Sequence, residues 1–316
     1  MARLRYTLVG MVKLGVIITA ATVAVLVVEF FRHRRYAFPA AGWLGLGALA
    51  GAEWLMFRGV EPVATYFTQI AWSAYILIAD SAVLSITGRS RMRNAPRDFF
   101  QMAGLSIPLW LIFETYNLRL QNWEYTGVPV ALIWGLLGYC WSFATITPAI
   151  LETAELIECF GWFKRGSDRR ISQSAVRWMM ISGGVCLIMP ALLPRHVGAY
   201  LFGLLWIGFS LLLDPLNFRL GLPSLLGDIS YGRWSRPYSL LASGWVCGWL
   251  WEFWNYWAAA KWHYIFPMFQ QHKIFEMPAP GYLGFLPFAA ECFVMYVTAA
   301  WLIGWIPRSH DPRIME

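Results

Sequence analysis

Four acidic residues stand where acids are expensive. Glu114, Glu152, Glu252 and Glu291 lie in stretches made mostly of aromatic and aliphatic residues. A carboxylate inside a bilayer costs about 3 kcal/mol on insertion scales, so such a residue carries a function or a fixed partner. Two of the four have an amide three residues on: Glu114 with Asn117 in IFETYN, and Glu252 with Asn255 in WEFWNY. Residues three apart share a face of a helix. Each pair is followed by W-x-Y, given by Trp123 and Tyr125 in one case and by Trp262 and Tyr264 in the other. From Trp123 to Pro148 is 25 positions, as from Trp262 to Pro287, and each proline precedes an acid by four, Glu152 and Glu291. The shared signature is E-x2-N, then W-x-Y, then P-x3-E, and it reads as a tandem duplication.

The chemistry open to these residues is acid–base work on an apolar molecule. An unpaired carboxyl group in a dry setting tends to hold its proton. Such an acid can protonate an alkene, and aromatic faces stabilise the cation that forms. A second carboxylate can take a proton back. Isomerising or cyclising a polyene in this way needs no metal, nucleotide or redox group. Glu114, Glu152, Glu252 and Glu291 are therefore the candidate catalytic residues. Asn117, Trp123, Tyr125, Asn255, Trp262 and Tyr264 are the candidate substrate-binding residues, and no cofactor is expected. The cheapest arrangement buries the four acids together in one half of the membrane, with Asn117 and Asn255 each bonding the neighbouring acid. Plainer roles also exist for these residue types. Trp and Tyr anchor helices at membrane interfaces, and Glu–Asn pairs cross-link helices.

Composition sets the class. The chain has 316 residues, 58 % of them hydrophobic and 14 % charged, with a mean hydropathy of +0.50. Soluble domains do not have this balance, and several apolar runs are long enough to span a bilayer. The fold class is all-α: a polytopic membrane helical bundle. The net charge of +7 falls mostly in short loops between apolar runs, so it reports membrane topology and not nucleic-acid binding. None of the five cysteines forms a C-x-x-C, and they read as small packing residues. The five histidines sit at segment ends or in loops, which disfavours a membrane haem held by paired helical histidines. No phosphate loop or zinc-protease motif occurs.

The apolar runs predict nine spans, one extra plus four and four. Residues 1–35 form the N-terminal span, 36–173 the first four-span repeat, 174–306 the second, and 307–316 a polar tail. The stretch 266–286 contains Gln270, Gln271, His272 and Lys273 and several Pro/Gly breaks, so it does not cross lipid as one helix. By register with it, the stretch after Tyr125 is expected to be irregular or re-entrant too, with spanning helices starting near Pro148 and Pro287. Irregular backbone at that depth must be covered by protein. An even number of spans makes the units parallel, related by an axis along the membrane normal. Alternating the loops puts roughly sixteen Lys/Arg on one side and roughly seven on the other. The positive-inside rule then places the N-terminus outside and the C-terminus inside, in what reads as a bacterial cytoplasmic membrane. All four acids fall on the outer half in this assignment.

An acid, then W-x-Y, then a proline-led acidic helix, repeated in one membrane protein, resembles the lycopene cyclase domain of membrane carotenoid cyclases. The resemblance covers 112–155 and 250–295. It implies that Glu152 and Glu291 correspond to that family's motif acids and that the substrate is a long isoprenoid polyene. The family typically has Asp where this chain has Glu114 and Glu252, and paired acids in P-x-E-E where this chain has P-x3-E. The expected function is an integral-membrane enzyme, cyclase- or isomerase-like, with a membrane lipid or isoprenoid as its partner. The alternatives are a membrane transporter or carrier, since duplicated units with broken segments also build transporters, or a non-catalytic subunit of a membrane complex.

Overall fold

The computed structural model describes residues 2–163 and 166–306, with side chains from residue 10 onward; the polar tail expected at 307–316 lies outside them. Helix α1 (Ala2–His33) comes first, then α2 (Ala40–Phe57), α3 (Phe67–Thr87), the short α4 (Arg91–Asn94) and α5 (Pro96–Leu120). A strand β1 (Trp123–Thr126) leads to α6 (Leu132–Cys159). The second half runs α7 (Gln173–Leu192), α8 (Arg195–Gly198), a 3-10 turn (Ala199–Leu204), α9 (Leu205–Arg219), the short α10 (Leu225–Ser230) and α11 (Ser235–Trp257). Strands β2 (Lys261–Tyr264), β3 (Lys273–Ile274) and β4 (Met277–Pro278) follow, then a 3-10 turn (Ala279–Gly284) and α12 (Phe285–Leu302).

Among the described residues, seven helices are long and apolar enough to cross a membrane, and the chain is an integral membrane protein of the all-α class. Helices α5 and α11 reach spanning length with 25 and 23 residues, about 37 and 34 Å at the α-helical rise, but are more polar. The nine expected spans are thus seven that qualify by length and composition and two that qualify by length. Helix α2 packs on α3, α3 on α6, and α5 on α6; α7 packs on α9, α9 on α12, and α11 on α12. Across the middle, α11 lies against α6 and β1 pairs with β2. Small residues allow the closest contacts, as is usual between helices in lipid. A Cβ on Gly183 would meet the Leu212 nitrogen and the Gly208 carbonyl, so α7 rests directly on the α9 backbone.

The bundle has two distinct ends. At one, the strands and the loops after α2 and α7 gather; this is the hairpin end. At the other lie Arg89, Arg91, Arg233 and Arg236; this is the basic end. There Asp80 accepts from the Ser90 hydroxyl and from the Met92 backbone N–H, at 2.8 and 2.9 Å. Asp214 accepts from the Leu225 and Leu226 N–H groups at 2.6 and 2.9 Å. In both places a buried carboxylate satisfies the free first-turn donors of a short helix.

The expectation of matching irregular segments holds for only one half. Residues 265–284 form no spanning helix: they make the β3–β4 hairpin and a 3-10 turn, with Phe275 and Ile274 against Gly15 of α1. In the first half the irregular part ends early, and α6 begins at Leu132, sixteen residues before Pro148. The reason is local chemistry. Residues 132–147 carry no charge and no proline, so nothing breaks the helix. Pro148 sits inside α6, where it removes a ladder hydrogen bond and crowds the preceding turn. The ladder is opened there by a neighbour. The Ser106 hydroxyl of α5 donates to the Phe143 carbonyl and accepts from the Thr147 N–H, at 2.5 and 3.0 Å. It stands between a donor and an acceptor that an unbroken helix would pair directly.

Candidate functional site

The E-x2-N and W-x-Y elements form one device, built twice. Helix α5 ends at Gln121, whose left-handed backbone turns the chain sharply toward β1. The Asn117 amide nitrogen donates to the Trp123 carbonyl at 2.9 Å, and its oxygen accepts from the Asn122 and Trp123 N–H groups at 2.8 and 3.2 Å. Asn255 does the same one half later: it donates to the Trp262 carbonyl and accepts from the Trp262 N–H, both at 2.9 Å. Each side-chain amide thus satisfies the backbone of a strand tryptophan. This corrects the expectation that Asn117 and Asn255 bond the acids; an amide at that position on the helix reaches the returning backbone first.

The acids instead hold the aromatic side chains of the strands. One oxygen of Glu114 accepts from Trp110 Nε1, Trp123 Nε1 and the Tyr125 hydroxyl, at 2.9, 3.2 and 2.5 Å. Glu252, wholly buried, accepts from the Tyr264 hydroxyl at 3.0 Å. Burial first, and then the facing carboxylate, pushes both strand phenols well above the ordinary tyrosine value. Strands β1 and β2 pair antiparallel with Trp123 opposite Tyr264 and Tyr125 opposite Trp262. The W-x-Y of one half is therefore laid against the W-x-Y of the other.

Beneath this ladder lies a cavity. Trp123, Tyr125, Trp262 and Tyr264 line its top, and Trp110, Trp251, Trp206 and Phe288 line its inner wall. These rings meet one another: Trp110 and Trp251 have centroids 6.2 Å apart, and Trp206 and Phe288 4.9 Å. One face of α6 forms the long side, from Gly135 to Ala149, about 21 Å by helix rise. Its volume is about 90 Å³, so the space is narrow. Asn117 and Asn255 do not line the cavity, and Glu114 and Glu252 stand behind the phenols that do.

Glu152 and Glu291 are placed elsewhere. Glu152 is wholly buried in α6, seven residues from its C-terminal end, with Arg91 Nε of the basic end 3.2 Å away. The same guanidinium holds Glu155 at 2.9 Å. Glu291, also wholly buried, accepts from the Phe209 N–H of α9 at 2.9 Å. The four acids therefore do not converge. Each has its own partners, and Glu152 belongs to the basic half of the bundle. The cause is the early start of α6, which carries Glu152 twenty residues down the helix, about 30 Å from its first residue.

The sequence left several wall residues unmarked. Trp110 sits one turn before Glu114, a spacing that points at the acid. Trp206, Trp251, Phe288 and the α3 residues Thr68, Gln69 and Trp72 carry no local signal, because only tertiary packing brings them to the wall. Among the described residues, no group of acids, histidines and cysteines could hold a metal ion. No protein-family model, curated protein or solved structure matches the chain.

Proposed function

We propose that this chain is an integral-membrane enzyme that isomerises or cyclises a long isoprenoid polyene by acid–base chemistry in the aromatic cavity. The observation that carries the reading is the cavity itself: a narrow slot along the face of α6, walled by indole and phenyl faces, with a phenol–carboxylate pair on each side of its top. Its aromatic wall suits an apolar molecule, and the resemblance to the lycopene cyclase domain points to a polyene. A proton from one pair adds to a double-bond carbon, leaving a carbocation over the tryptophan faces. The other pair takes a proton from an adjacent carbon and a new double bond forms. Substrate and product then have the same composition, and no oxidant or reductant is consumed. Tyr125 and Tyr264 meet the substrate, while Glu114 and Glu252 supply and receive the proton behind them.

Glu152 and Glu291 have partners of a structural kind, an arginine and a backbone N–H. That favours a second reading, a non-catalytic subunit that holds a lipid or pigment. One experiment separates the two. Lipid and pigment extracts are compared from cells with the gene, without it, and with Glu114→Gln or Glu252→Gln. Glutamine still accepts the phenol's hydrogen bond but carries no transferable proton. The enzyme reading expects product to fall at least about 100-fold in either variant, the usual size of a lost acid–base contribution. Full product from both variants would remove it.

We further propose that 36–173 and 174–306 are parallel repeats of one duplicated unit, with the hairpin end outside and the basic end inside a bacterial cytoplasmic membrane. Supporting this are the shared element order, the matched carboxylate caps of Asp80 and Asp214, and a ladder in which W-x-Y meets W-x-Y. The uneven Lys/Arg distribution sets the orientation. A cysteine placed at His272 should react with an impermeant thiol reagent added outside intact cells, and labelling only from inside would reverse it.

A further inference from the structure

The cavity wall is not uniformly apolar. Within one turn of α3, Thr68, Gln69 and Trp72 all line it, and they are 6, 9 and 4 % exposed. Each has a buried polar atom without a partner: the Thr68 hydroxyl, the Gln69 Oε1 and the Trp72 Nε1. The orientation of the Gln69 amide is fixed by its other end, which donates to the Gly138 carbonyl at 3.3 Å. A carbonyl can only accept, so the NH₂ faces Gly138 and Oε1 is the free atom. A buried polar atom left unpaired costs about 1–3 kcal/mol, and three within a single turn are unusual in a folded protein.

A plain hydrocarbon in the cavity would leave all three unpaired. A ketone could accept from Thr68 or Trp72 but could give nothing to Gln69 Oε1. A phosphate or carboxylate would need a cation. The one lysine on the wall, Lys261, donates to the Tyr256 carbonyl at 2.6 Å and lies over the Tyr256 ring. A hydroxyl both donates and accepts, and it is the neutral group that answers this set. We propose that the cavity takes an isoprenoid alcohol, its hydroxyl donating to Gln69 Oε1 and accepting from Thr68 or Trp72, with its apolar chain along α6.

This rests on the cavity being the lipid site, but not on the catalytic reading. The test is equilibrium binding to the full chain in detergent micelles, read by quenching of tryptophan fluorescence. The probes are a long all-trans isoprenoid alcohol and the hydrocarbon of the same skeleton. The alcohol should bind about tenfold more tightly, the equivalent of one satisfied orphan group. Gln69→Leu should erase that preference. Thr68→Val keeps the Gln69–Gly138 bond and so guards against a folding defect; it should reduce the preference. Equal affinities in the unaltered protein, a preference that survives both substitutions, or failure of both probes to bind would overturn the proposal. No turnover is measured, so an inactive protein that prefers the alcohol removes only the enzyme reading.

Discussion

At the scale of the residue, the motif acids and amides divide the labour of holding a strand. The amide takes the backbone of the tryptophan and the acid takes the hydroxyl of the tyrosine. Asn255 is wholly buried and makes both of its amide bonds to Trp262. Asn255→Ala is expected to cost about 2 kcal/mol, since it leaves a donor and an acceptor of the strand unpaired; thermal unfolding in detergent measures this. Arg91 makes a sharper case. It is the cation beside the wholly buried Glu152. Arg91→Gln is expected to destabilise by about 3 kcal/mol, because removing one partner strands the other charge. Adding Glu152→Gln should recover much of that loss, as read from the same unfolding midpoints. The E-x2-N and W-x-Y spacings were legible in the sequence because they are local and doubled. Which atom each side chain grips was not, because Asn117 and Glu114 are both within reach of the returning strand, and the turn at Gln121 decides between them.

At the scale of the element, α6 shows what a spacing argument can and cannot carry. The 25-residue match between Trp123–Pro148 and Trp262–Pro287 suggested that both prolines open a helix. Pro287 does lie in the first turn of α12, but Pro148 lies deep within α6. Equal spacing does not impose equal conformation when one segment holds Gln270, Gln271, His272 and Lys273 and the other is uncharged from 132 to 147. The proline was legible, but as a helix start; the ladder opening inside α6 and the serine that fills it, which comes from another helix, were not. Ser106→Ala is expected to cost about 1–2 kcal/mol by leaving the Thr147 N–H and the Phe143 carbonyl without their partner. In a Pro148→Ala background the ladder can close by itself. The same substitution should then cost clearly less, a coupling that a double-mutant cycle on unfolding free energies would register.

At the scale of the whole molecule, composition alone identified a helical membrane protein, and the apolar runs located most helices to within a few residues. The exception is α6, which begins at Leu132 where a start near Pro148 was expected. The cavity was not legible, since α3, α5, α6, α9, α11, α12 and both strands each supply part of its wall. What joins the halves over it is a ladder of two short strands with the same W-x-Y on either side. Such a contact is isologous: the same patch serves as both key and lock, as in a two-fold dimer, although here one chain provides both copies. A polypeptide bearing a single unit would find its missing strand in a second copy of itself. Co-expressed as separate fragments, 1–172 and 173–316 are accordingly expected to associate and co-purify. Removing the self-matching strand from either, by Trp123→Gly with Tyr125→Gly or by Trp262→Gly with Tyr264→Gly, should weaken that association. In this light the covalent link between the halves acts as a tether across a self-matching strand pair.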